Sequence, residues 1–232
     1  MNQRILPIFP VNVVLFPRQE LSLNIFEPRY KQMVEDCMLG DGLFGVCLAD
    51  EGNVAGWQSP CSVGTITKII RCRDPNLDGL NIHIDTMGRS RFHIQKIIPP
   101  SVALPPDYDP DTLEGHQRFF ETYDSSKPGK MYIQASVDII PDIDQNISES
   151  QWKHMVKSWK KMIQHTSEKW VDFQSLDLLL QHYDMLTDMP TLEYVYALAA
   201  LGSSGPQDLQ PILEARTLDA LVQRVEGLLE VK

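Results

Sequence analysis

Along the first hundred residues, apolar and polar side chains alternate in short runs broken by turn formers. Leu21, Leu23 and Ile25 alternate with Ser22 and Asn24, and Leu80, Ile82 and Ile84 alternate with Asn81, His83 and Asp85. That period of two predicts half-buried strands with one wet face each. Further apolar runs at Ile5–Phe9, Val13–Phe16, Leu43–Ala49, Val63–Cys72 and Phe92–Ile98 are separated by Pro, Gly, Asp or Asn. Short strands at this spacing predict a barrel or a sandwich.

One helix interrupts the strands. Pro28 suits the first helical position, where its missing N–H costs nothing, and Tyr30, Met33, Val34, Cys37 and Met38 then recur at helical spacing. Gly40 is placed to end this helix, 28–38, with a left-handed residue.

From Pro99 to Pro128 the pattern breaks down into Pro, Asp, Ser and Gly, including Pro-Pro-Asp-Tyr-Asp-Pro-Asp at 105–111. The stretch reads as an acidic insertion, in which Thr112 caps a short helix carrying Leu113, His116, Phe119, Phe120 and Tyr123. Alternation returns from Met131 to Ile139, one more strand. After Ser148 the period changes to 3.6. Ser148 and Gln151 fit a capping box, and Trp152, Met155, Val156, Trp159, Met162 and Ile163 form a stripe opposite Lys153, Lys157, Lys160 and Lys161. Helices at about 173–187, 191–201, 206–215 and 218–230 complete a helical second half.

Charge sharpens this division. The 232 residues carry a net charge of −10, arranged as 0 over 1–100, −6 over 101–147, +3 over 148–171 and −7 over 172–232. An acidic chain is a poor general binder of polyanions, so nucleic acid is disfavoured and only the Lys153–Lys161 face offers a place for an anionic partner. No apolar run approaches the roughly 20 residues of a membrane helix, and the first residues lack a signal peptide's apolar stretch, so the expected compartment is the cytoplasm.

The catalytic signatures are missing from the sequence. Gly129-Lys130 lacks the upstream Gly and following hydroxyl of a phosphate loop, there is no His-Glu-x-x-His, and Gly202-Ser203-Ser204-Gly205 is misspaced for a nucleophile elbow. Ser150-x-x-Lys153 and Ser158-x-x-Lys161 have the spacing of some acyl-transfer motifs but none of the companions. The six histidines show no ligand spacing, and Cys37, Cys47, Cys61 and Cys72 have no Cys-x-x-Cys pairing. The cysteines read as reduced thiols that fill core space, with Cys61 beside Pro60 the exception. Arg89 and Arg91 read as the start of a strand. No catalytic residue, cofactor or metal site is expected.

Several motifs occur in an order that resembles the N-terminal substrate-binding domain of Lon proteases. They are Leu6-Pro7-Ile8-Phe9-Pro10, Val14-Leu15-Phe16-Pro17, Ile25-Phe26-Glu27-Pro28-Arg29-Tyr30 and Leu43-Phe44-Gly45-Val46, followed by Val63-Gly64-Thr65, Gly88-Arg89-Ser90-Arg91-Phe92 and Tyr132-Ile133-Gln134-Ala135. Leu209 to Leu229 is similar to the helical tail of that domain. The resemblance covers about 4–98, 130–141 and 186–231. It implies an α+β fold: a PUA-like β-barrel of about six to eight strands plus one helix over 1–141, with an acidic insertion at about 99–129, then an α-helical bundle over 142–232.

The resemblance also implies binding of polypeptide clients or a partner protein, as in protein quality control, without proteolysis, because the chain stops where a full Lon protease continues into ATPase and Ser-Lys protease domains. PUA-like barrels can also hold RNA, so the alternative is RNA binding through the Lys-rich helix. Within Ile25–Tyr30 the chemistry of the residues is structural: Ile25 and Phe26 as core and helix-entry contacts, Glu27 at a helix N-terminus, Pro28 starting the turn, and Arg29 pairing with a nearby carboxylate.

Overall fold

The β-branched and aromatic runs of the first part of the chain pair into one mixed sheet of six strands, β1 (Arg4–Val11), β2 (Glu20–Ile25), β3 (Leu43–Val54), β4 (Trp57–Arg73), β5 (Ile82–Ile98) and β6 (Gln134–Ile139). The computed structural model describes residues 4–74, 81–123, 129–144, 146–166, 172–183 and 185–230. It divides into two compact units, Met1–Ile140 and Pro141–Lys232.

In the first unit the strand order is β2-β5-β4-β3-β1-β6, and β6 pairs with β5 as well as with β1. Five strands therefore form a closed circuit of hydrogen bonding. β1 runs parallel to β3, with Ile8 opposite Gly45, and all other pairs are antiparallel. β5 is long enough, at 17 residues, to pair with β2 from Ile82 to Met87, with β4 from His83 to His93 and with β6 from Phe92 to Ile98.

Leu6, Ile8, Cys47, Ile66, Phe92, Ile94, Ala135 and Val137 pack together as one core. Two glycines make room for the Phe92 ring: a Cβ on Gly45 would lie 2.6 Å from Phe92 Cζ, and one on Gly64 would lie 2.9 Å from the same atom and 2.4 Å from the Val46 carbonyl. A second core forms where α1 (Pro28–Leu39) lays Tyr30, Met33, Val34 and Cys37 against Phe9, Ile25, Phe44 and Ile84.

α1 also fixes the approach to β6. Gln32 accepts from the Met131 N–H at 2.7 Å, and Asp36 accepts from the Tyr132 hydroxyl at 2.7 Å and from Lys130 at 2.9 Å. The insertion forms α2 (Leu113–Thr122), whose Thr112 hydroxyl accepts from Gly115 N–H at 3.0 Å.

Among the described residues the second unit holds five helices: α3 (Glu149–Thr166), α4 (Phe173–His182), α5 (Leu192–Gly202), α6 (Pro206–Leu213) and α7 (Leu218–Leu229). Ser148 and Gln151 make the reciprocal capping bonds at the start of α3, and Thr217 caps α7. Trp152, Met155, Val156, Trp159 and Met162 of α3 are buried. Gly202 sits against Leu229, Met162 and Trp159, the close approach of α5 to α7 and α3.

Several expectations are corrected. Val13–Phe16 is loop, held by a hydrogen bond from the buried Thr65 hydroxyl to the Leu15 carbonyl. The runs predicted at 80–85 and 92–98 are parts of the single strand β5, Leu80 lying outside the described residues, so Arg89 and Arg91 sit mid-strand instead of at its start. The last strand begins at Gln134, not Met131, and the helix expected to 187 ends at His182. Gly40 has φ −100 and accepts no left-handed role, which passes to Gly42 at φ +72, whose N–H bonds the Cys37 carbonyl. Met38, placed in the buried stripe, is exposed, because it lies past the arc of α1 that meets the sheet. Cys37 and Cys47 are buried as expected, whereas Cys72, at the end of β4, is exposed.

The two glycine environments give opposite expectations. Gly64→Val should destabilise the fold by about 1–3 kcal/mol through overpacking against Phe92 and Val46. Gly227→Ala, in α7 with nothing within 4 Å of the new methyl, should stabilise by about 0.5–1 kcal/mol. Chemical denaturation of both variants measures these shifts, and equal effects of the same sign would contradict the packing described.

Candidate functional site

A cleft of about 370 Å³ opens in the first unit where the start of α1, the β3–β4 turn and the insertion meet. Each wall has a local cause. β3 and β4 are joined by Ala55-Gly56, both at positive φ (54° and 88°), the geometry of a two-residue hairpin turn whose twist matches the strands. This turn puts Trp57 at the first position of β4. Leu104 N–H bonds the Ala55 carbonyl at 2.9 Å and Trp57 Nε1 donates to the Val102 carbonyl at 2.8 Å, so the insertion is stitched over the hairpin tip. Asp107, at φ 54°, turns the chain so that Tyr108 faces Trp57 edge-on, with ring centroids 5.3 Å apart. Phe119 of α2 closes the rear of this cluster, 6.1 Å from Trp57 and 5.9 Å from Tyr108.

The polar part of the cleft comes from the Ile25–Tyr30 motif. Glu27 is the N-cap of α1, yet its side chain makes no capping bond; it accepts instead from Arg29 Nε at 2.8 Å. Arg29 and Glu27 side chains are only 12% and 15% exposed. The guanidinium carbon lies 3.8 Å from the Trp57 ring centroid and 4.2 Å from that of Tyr30. Cation–π contacts in such a partly desolvated setting are worth roughly 0.5–2 kcal/mol each. Tyr30 in turn meets Phe9 edge-on at 4.3 Å. A continuous stack thus joins the α1 core to the insertion.

The structure separates the motif residues by role. Glu27, Arg29 and Tyr30 line the cleft, Ile25 and Pro28 are buried, and Phe26 is half-buried beside them. Trp57, Leu104 and Tyr108, which no motif pointed to, supply the opposite wall. The one signal for Tyr108 in the sequence was an aromatic residue inside an otherwise Pro-Asp run.

The lysines of α3 do not act as one patch. Lys153 pairs with Glu149 and, at 3.3 Å, with Asp188, while Lys160 pairs with Asp177. Hydrogen bonding to Glu149 holds the Lys153 ammonium above its ordinary range. Among the described residues Lys157 and Lys161 have no carboxylate partner. Lys153, Lys157 and Lys160 rim a hollow of about 460 Å³ floored by Trp152, Val156, Phe173 and Leu186, and Lys161 lies outside it. Trp170 lies outside the described residues.

Burial pushes the Cys37 thiol up to about 12 and raises Cys47 further, so neither is a thiolate at neutral pH. Among the described residues no cluster of three His, Cys, Asp or Glu side chains is arranged to hold a metal ion, and no helix is long and apolar enough to cross a membrane.

With this geometry in view, comparison with known proteins is decisive about family. The pattern of the ATP-dependent protease La (LON) substrate-binding domain matches residues 5–231. The chain belongs to the Lon substrate-binding domain family. The fold agrees: the crystal structure of a Lon N-terminal domain protein from Xanthomonas campestris is similar with a TM-score of 0.59 at 21% identity, covering 97% of each chain. The N-terminal domain of the Mycobacterium avium complex Lon protease follows with a TM-score of 0.58 at 15% identity, covering 97% of this chain and 96% of that one. At such identities the likeness is one of fold. Protein cereblon of Danio rerio is 31% identical over 94 residues, 40% of this Lon-type chain and 22% of the length of cereblon.

Two predictions come from the cleft. The Tyr108 hydroxyl is buried and makes no hydrogen bond among the described residues. Tyr108→Phe should therefore leave stability unchanged or raise it by up to about 1 kcal/mol, since an unsatisfied buried group is removed, and a clear loss would reveal a partner for it. The phenols of Tyr30, Tyr108 and Tyr132 are all raised above 10.0, chiefly by burial and, for Tyr132, by its bond to Asp36. Each keeps its proton in the folded chain at a pH where the unfolded chain has lost it. Their contribution is complete below pH 10 and lost as pH rises beyond it. In an absorbance titration, these three of the seven tyrosines should ionise only as the fold is lost; ionisation of all seven near pH 10 in a folded chain would contradict the burial.

Proposed function

We propose that this Lon-type domain holds polypeptide, either apolar segments of client proteins or a partner protein, and makes or breaks no covalent bond. In this reading a PUA-like β-barrel over 1–141, carrying the acidic insertion at about 99–129, presents the binding surface. A helical bundle over 142–232 accompanies it, and the chain works in the cytoplasm. The closed pairing circuit of β1, β3, β4, β5 and β6 supports the barrel. Membership of a substrate-binding family supports the role.

The observation that carries the reading is the cleft itself: a concave, mainly apolar surface with aromatic side chains and one anchored arginine is the form that recognition of extended chains takes. RNA held by the α3 lysines needs free cations, and Lys153 and Lys160 already face carboxylates, so this alternative ranks second. The Ile25–Tyr30 motif then serves both fold and binding, Ile25, Phe26 and Pro28 the former, Glu27, Arg29 and Tyr30 the latter.

The test is a titration of the full chain with a fluorescently labelled, carboxymethylated and hence permanently unfolded polypeptide. Saturable binding that survives raised salt is expected. Leu104→Glu, a change at a 40% exposed position on the rim, should weaken it roughly tenfold. Binding abolished instead by Lys157→Glu with Lys161→Glu, or undetectable binding, would overturn the reading.

A further inference from the structure

Arg29 spends only part of its hydrogen-bonding capacity. Its Nε donates to Glu27, its guanidinium carbon sits over the Trp57 and Tyr30 rings, and among the described residues its two terminal nitrogens have no acceptor. Arg29 lines the cleft, its side chain 12% exposed. The charge of Arg29 is already answered by Glu27 at 2.8 Å, so the cleft offers unused N–H donors with little net charge. Close by, the Tyr108 hydroxyl is buried and has no partner among the described residues. Donors left unmade at a desolvated site favour a ligand that brings acceptors.

The kind of acceptor follows from Glu27. A carboxylate on the ligand would meet Arg29 but also the Glu27 carboxylate beside it, and a cation would find its one acidic partner already occupied. A neutral carbonyl oxygen, from a backbone amide or an Asn or Gln side chain, accepts from the guanidinium without either penalty. Of the remaining lining, Phe9, Val11, Leu104 and Pro110 are apolar and Gln58 is polar but uncharged, and a volume of about 370 Å³ lies within the range of ligand clefts.

We propose that this cleft is a neutral-acceptor site, which takes a short uncharged apolar stretch of polypeptide with a carbonyl oxygen seated on the terminal nitrogens of Arg29, and which discriminates against acidic segments through Glu27. The proposal rests on the polypeptide-binding reading and adds its chemical selectivity.

The experiment uses fluorescence anisotropy on the full chain with four labelled peptides of one apolar sequence, differing only in a central Gln, Leu, Glu or Lys. The Gln and Leu peptides should bind, and the Glu peptide roughly tenfold more weakly. Glu27→Gln keeps an acceptor for Arg29 Nε but leaves its charge unanswered, so it should invert the order and make the Glu peptide the tightest. Arg29→Lys, which retains the charge and loses the planar fork, should weaken the Gln peptide roughly tenfold while circular dichroism shows the fold intact. Equal wild-type affinity for the Gln and Glu peptides, or an order unchanged by Glu27→Gln, would overturn this selectivity while leaving polypeptide binding in place. If none of the four peptides and no unfolded polypeptide binds, the broader reading fails with it.

Discussion

The first unit depends on one constraint: β6 must pair on both of its sides. Only when Ser136 and Val137 meet β1 and β5 together does the circuit β1-β3-β4-β5-β6 close, and only then are the edges of those five strands satisfied, leaving the outer side of β2. Closure removes the unpaired N–H and C=O rows that make open edges prone to aberrant pairing. It also encloses the Phe92 core, which has the space it needs because Gly45 and Gly64 lack side chains. β6 is reached only after the chain has passed through the insertion, so closing the circuit requires the segment at 130–132 to be delivered to a fixed place. The bonds from Lys130, Met131 and Tyr132 to Gln32 and Asp36 of α1 do this.

The candidate site is a by-product of that delivery. Since the insertion starts after β5 and must return to α1, its first residues cross the β3–β4 hairpin tip. Leu104 and Tyr108 are thereby set opposite the arginine that begins α1. Arg29 then bridges two structural layers with one group: its guanidinium carbon sits over both the Trp57 and the Tyr30 rings, and its Nε bonds Glu27. Lysine could supply the charge but neither the stacking nor the forked donors. The rigidity of this stack lets the terminal nitrogens be offered to a ligand without the side chain first having to be ordered.

Much of this fold was legible in the sequence because its signals are local. Pro28 and the Tyr30-Met33-Val34-Cys37 spacing marked α1, the Ser148/Gln151 box marked α3, period-two alternation marked β2, the start of β5 and β6, and apolar runs marked β1, β3 and β4. Signals that depend on distant partners were not legible. The run Val13–Phe16 has strand composition, yet its backbone is claimed by Thr65 instead of a neighbouring strand. The continuity of β5 through Gly88 was hidden because a glycine reads as punctuation, whereas here it allows the Phe16 carbonyl to approach, only 2.5 Å from where a Cβ would stand. The hairpin at Ala55-Gly56 lacks the usual Asn-Gly signature, so Trp57 drew no notice. The motif identified Glu27 and Arg29, but what they face is set by Trp57 and Tyr108, about 30 and 80 positions further along, a juxtaposition that no spacing rule contains. Similarly, the Lys153–Lys161 stripe is an amphipathic face in sequence, but the carboxylates of Asp177 and Asp188 that answer it come from beyond α3.

The central claim is that the Arg29–Trp57–Tyr108 cleft is the surface that holds polypeptide. Hydrogen exchange of the full chain, read by mass spectrometry with and without a saturating unfolded polypeptide, tests it directly. The account predicts added protection concentrated at residues 27–30, 55–58 and 104–110. Protection confined to the exposed lysine face of α3, or none at all when binding is saturated, would contradict it.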